Sequence, residues 1–70
     1  MIHLRDDLVN SLIKHAEGEI AKHRANVMVY LTYPSGVGEH SDLMTAIENE
    51  LDGISRYHNQ INVLKEYFEA

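Results

Sequence analysis

Seam positions recur along the first half of the chain at alternating spacings of four and three. Val9, Ile13, Ala16, Ile20, His23, Val27 and Tyr30 form this series, the stripe of a helix packed lengthwise on another helix. Leu12, Ala21, Met28 and Leu31 widen the stripe beyond what one neighbour covers. Asp6 and Asp7 suit the positive end of the helix dipole, and Arg24 suits the other end. Val27 to Thr32 is β-prone when taken alone. No second strand pattern exists to pair with it, so the spacing predicts a helix over about 5–32.

The only proline and two of the four glycines fall in the next stretch, Tyr33-Pro-Ser-Gly-Val-Gly-Glu-His-Ser-Asp42. Proline biases the residue before it away from helical geometry, so Tyr33 is expected to be extended. Gly36 and Gly38 open backbone angles closed to other residues. Ser41 is the better N-cap candidate, with Asp42 in the first turn behind it. A turn over 33–41 thus leads to a second helix over about 42–68. Its expected stripe is Met44, Ile47, Leu51, Ile54, His58, Ile61, Leu64 and Phe68, with Leu43 and Tyr57 beside it.

Residues 1–70 therefore read as a single all-α domain, an antiparallel two-helix hairpin. Residues whose numbers sum to roughly 72–74 should share a height. Ile20 then faces Ile54, Ile13 faces Ile61, Val27 faces Ile47, and small Ala16 lies opposite Tyr57 and His58. The same register sets Asp7 level with Lys65, Glu17 with Arg56, Lys22 with Asp52, and Arg24 with Glu50. Such pairs support the register more than the stability. Gly18 and Gly53 fall outside the two stripes at broadly similar heights; they either let another helix approach closely or, in the favoured reading, are tolerated surface glycines, Gly18 costing about 1 kcal/mol relative to alanine.

Seventy residues lie near the lower limit for a self-sufficient core. No cysteine is present to form disulfides or thiolate metal sites. Short length and wide stripes together predict a homodimer forming a four-helix bundle. Leu12, Ile20, Val27, Ile47, Leu51, Ile54 and Ile61 are its expected interface residues.

Charge narrows the partners. Eleven acidic residues against six basic ones give a formal charge of −5, which a phosphate backbone would repel. Direct nucleic-acid binding is therefore not expected, although an acidic surface that mimics nucleic acid, or a nucleic-acid-associated regulator, stays open as an alternative. No run of about 18 apolar residues occurs, so no membrane span is expected. The N-terminus turns polar at once, unlike a signal-peptide core. The expectation is a soluble, cytoplasmic protein.

Candidate chemistry is sparse. His15, Glu19 and His23 share a helical face within reach of His58, which opens a metal-binding bundle as another alternative. Carboxylate-bridged di-iron bundles instead use Glu-x-x-His, and no glutamate here has a histidine three residues later. The favoured reading makes His23 and His58 seam residues with a hydrogen-bonded nitrogen, leaves His15 solvated, and assigns no metal or other cofactor. Histidines in an apolar seam would also make assembly sensitive to pH near 6. Gly36-Val37-Gly38 resembles a phosphate cradle but lacks the P-loop pattern and its strand–helix setting. No serine or cysteine nucleophile stands at a recognisable spacing from a His and a carboxylate. No enzymatic activity is expected. Tyr33 is the tyrosine least explained by core packing; with Val37, Gly38 and His40 it forms the expected partner-contact site.

The block Met28 to Asp42, followed by an acidic helix ending Leu64-Lys65-Glu66-Tyr67-Phe68, resembles a group of small proteins of tailed phages, especially those of marine cyanobacteria. The similarity covers the second half of the chain best. It implies a phage origin and expression inside a bacterial host, and brings no catalytic residues. The expected function is a small acidic, dimeric, non-enzymatic helical module that binds a host or phage protein.

Overall fold

The computed structural model describes residues 4–33 and 40–69. Two helices make up the fold: α1, Leu4–Thr32, and α2, His40–Tyr67. They pack against each other as an antiparallel hairpin, bringing Arg5 to Phe68, His15 to Tyr57 and His23 to Glu50. These contacts fall at the heights the expected register assigns. The β-prone run Val27 to Thr32 is helical throughout, because propensity is a weak prior against a continuous amphipathic stripe.

The helix ends differ slightly from expectation. Asp6 and Asp7 stand in the first turn of α1, but its last turn holds no basic residue, so Arg24 lies too far back to meet the dipole. Tyr33 donates its backbone N–H to the carbonyl of Val29 at 2.8 Å and so still carries a helical bond. α2 begins at His40, which puts Ser41 inside the first turn rather than ahead of it as an N-cap. At the other end Phe68 and Glu69 both donate to the carbonyl of Leu64 at 3.0 Å. A bifurcated closure of this kind satisfies a carbonyl that has no further turn to serve.

The hairpin measures 55 × 17 × 12 Å, and its radius of gyration is 16.0 Å. A compact chain of this length would be near 11 Å. Two long helices side by side give each side chain only one neighbour, and full burial is correspondingly rare. Only Val9, Ile13 and Ala16 are buried among the described residues. Ala16, at 1% exposed, is small enough for the helices to close over it. Further along, Ile20 and Val27 of α1 and Ile47, Ile54 and Ile61 of α2 line the seam half-buried.

One row of the seam differs from the expected stripe. On α2 the half-buried positions include Leu43, Glu50, Tyr57 and Leu64, whereas Met44, Leu51 and His58 are exposed. The partner of the Ile47-Ile54-Ile61 row is thus one residue earlier than apolarity suggested. The sequence disguises it, because two of its four members are polar. His58 is consequently a surface residue, not a seam residue.

Candidate interaction surface

Two features stand out on this scaffold: a polar clasp across mid-seam and an apolar groove at the open end of the hairpin. The clasp is built where the true seam row brings Glu50 under α1. His23 Nδ1 lies 2.7 Å from Glu50 Oε1, and Asn26 Nδ2 donates to the same oxygen at 3.0 Å. The two side chains of the His23–Glu50 pair are 19% and 17% exposed, so the pair is largely shielded from water. The hydrogen bond from His23, then that from Asn26, holds the Glu50 carboxyl below its ordinary range, against a smaller opposing push from burial.

Tyr57 continues the clasp. Its ring stacks on His23 at 6.4 Å and 20°, takes the edge of His15 at 5.7 Å and 80°, and lies beneath the Arg56 guanidinium at 5.3 Å. Gly53 completes it, because the His23 ring rests on the space a side chain would fill. A Cβ there would come within 2.5 Å of His23 Nε2. Gly53 is therefore part of the helix–helix contact and not a tolerated surface glycine. Gly18, with nothing within 4 Å of its Cβ position, is open as expected.

Both ring nitrogens of His23 are thus turned into the seam, Nδ1 onto Glu50 and Nε2 over Gly53. This arrangement ties the two helices together at one height. His23 has the bonded nitrogen expected of it, and a carboxylate is what bonds it. His15, Glu19, His23 and His58 do not gather into one site: Glu19 pairs with Lys22 at 2.8 Å, and no three His, Asp or Glu converge as metal ligands among the described residues. That pairing also replaces the expected Lys22–Asp52 match, as the clasp replaces Arg24–Glu50. The hydrogen bond from Lys22 lowers Glu19 and the same bond raises Lys22.

The groove lies towards the termini. Leu4, Leu8 and Leu12 follow one another at steps of four on α1, and Leu64 and Phe68 of α2 form the opposite wall. Through Leu12 and Leu64 it continues to Val63, with Asn59 and Gln60 along its rim. Leu4, Leu8 and Leu12 are each more than half exposed, and Val63 and Phe68 nearly so. Arg5, the one charged side chain on the groove among the described residues, pairs with Asp6 at 3.6 Å and donates to the carbonyl of Phe68.

The expected site residues are distributed unevenly over these features. Leu12 lies in the groove and Leu51 on the opposite flank of α2, both exposed; the five isoleucine and valine positions expected at the interface line the seam. Tyr33 is 68% exposed at the end of α1. Val37 and Gly38 lie outside the described residues, and His40 is the first residue of α2. Sequence reasoning missed the clasp, although Glu50 falling in heptad step with Leu43, Tyr57 and Leu64 was a visible signal. It also missed the Leu4-Leu8-Leu12 ladder, which its spacing alone could have revealed.

No protein-family model matches the chain, and no curated protein or solved structure does either. Among the described residues, no helix is long and apolar enough to cross a membrane.

Proposed function

We propose that this chain is a non-enzymatic protein–protein interaction module, a small acidic hairpin whose working form is a homodimer closed into a four-helix bundle. One observation carries the reading. Among the described residues, twelve large apolar or aromatic side chains are close to half exposed or more, against three buried apolar residues. Isolated exposed apolar residues need no explanation, but ladders of them along a helix mark a surface that another chain covers. The His23 ring is held by Glu50 through Nδ1 and packs over Gly53, which supports a structural role for the clasp.

In this reading the dimer leaves the loop end free, and Tyr33 is the anchor for a host or phage protein inside the bacterial cytoplasm. The net charge of −5 supports a protein partner over a phosphate one. Thermal unfolding followed by circular dichroism across a hundredfold range of protein concentration tests the assembly. A melting temperature that rises with concentration is expected of a folded dimer. A melting temperature independent of concentration contradicts it.

A further inference from the structure

We propose that the open-end groove is the dimer interface, filled by the same groove of a second copy through the Leu4-Leu8-Leu12 ladder. This placement rests on the self-association reading and narrows it to one flank of the hairpin.

A folded monomer of this chain's 8.0 kDa would expose about 4,500 Å², whereas the hairpin exposes 5456 Å². The excess of about 1,000 Å² is close to the roughly 800 Å² that each partner loses in a standard interface. One two-fold contact would therefore return the chain to the surface expected of its mass. A small additional contact would not.

Shape selects the groove and the occupant. Leucines at steps of four form a ridge along α1, and the depression between that ridge and Leu64 and Phe68 runs beside it. Each copy thus carries both halves of a ridge-into-groove contact, the condition for an isologous two-fold interface. The opposite flank offers less: Met44 and Leu51 are exposed there, but His58 and Lys65 interrupt the row.

Charge permits the pairing. At −5 the chain repels its copy at long range, yet among the described residues the groove walls carry no carboxylate, and Asp6 and Glu69 stand only beyond Arg5 and Phe68 at its end. Arg5 is already paired with Asp6, so apposing two grooves brings two compensated cations together. A heterologous partner would need no such symmetry in the surface it met.

Three proteins distinguish the outcomes: wild type, Leu8→Glu in the groove and Leu51→Glu on the other flank. Each is examined for helix content by circular dichroism and for mass by light scattering after gel filtration. Both leucines are exposed, so neither change disturbs the seam. Expected are a wild-type dimer, a dimeric Leu51→Glu and a helical Leu8→Glu whose dimer is weakened at least about tenfold, since the two-fold axis doubles each substitution. As the chain has no native cysteine, Leu8→Cys should also oxidise to a covalent dimer faster than Leu51→Cys. A wild-type dimer that tolerates Leu8→Glu overturns the groove placement and leaves self-association standing. A monomeric wild type overturns both.

Discussion

Gly53 lies so close beneath the ring of His23 that a Cβ would sit 2.5 Å from Nε2. The two residues come from different helices, and the missing side chain of one makes room for the other. The ring cannot simply swing aside, because Nδ1 is bonded to Glu50 and the face is stacked on Tyr57. Gly53→Ala gains about 1 kcal/mol of helix propensity but must break or bend that bond. The expected net result is destabilisation by about 1 kcal/mol or more. Gly18→Ala, with open space around it, should stabilise by about 0.5–1 kcal/mol. Urea unfolding of both variants checks the contrast. In a His23→Ala background the sign at Gly53 should reverse; a persistent loss there would show that the ring is not the obstacle.

Acid should weaken the hairpin through Glu50. Its folded pKa is lowered, so its contribution is complete above the ordinary glutamate value of about 4.5 and is lost as pH falls through the lower, folded value. Other carboxylates titrate in the same window, Glu19 among them with its own lowered pKa. The informative quantity is therefore the difference between wild type and Glu50→Gln. Stability of the wild type should exceed that of the variant above pH 5, and the gap should close towards pH 3. A gap independent of pH would mean that the carboxylate charge contributes nothing.

Burial is concentrated near the open end, and so should be the sensitivity to truncation. Ile13→Ala removes one of the three buried side chains and is expected to cost about 2–4 kcal/mol, enough to unfold a hairpin of marginal stability. Leu31→Ala, at a position 62% exposed, should change stability by less than about 0.5 kcal/mol. Parallel thermal melts decide whether the core is as localised as these burials imply.

Much of the architecture was legible because α1 obeys its pattern. Val9, Ile13 and Ala16 were all in the expected stripe and are the buried residues. The β-prone run before the turn gave no strand, since nothing in the chain was patterned to pair with it. α2 was harder for a physical reason. Its second seam row contains Glu50 and Tyr57, so the apolar Met44 and Leu51 one position later looked like the better row and drew His58 in with them. Only the arrival of His23 and Asn26 from α1 makes a carboxylate acceptable at that height, and no single-helix pattern contains that information. Close approach of another helix at Gly53 ranked second for the same reason, because its role depends on a ring from the other helix. The apolar groove depends on the same pairing. Leu4, Leu8 and Leu12 form a row on their own, but it becomes a wall only where Leu64 and Phe68 stand opposite.

The central claim is that this hairpin is completed by another copy of itself. Sedimentation equilibrium of the untagged chain at low micromolar concentration tests it most directly. The expected result is a helical species of twice the 8.0 kDa chain mass, dissociating on dilution. A single helical species at one chain mass over the whole concentration range would contradict it.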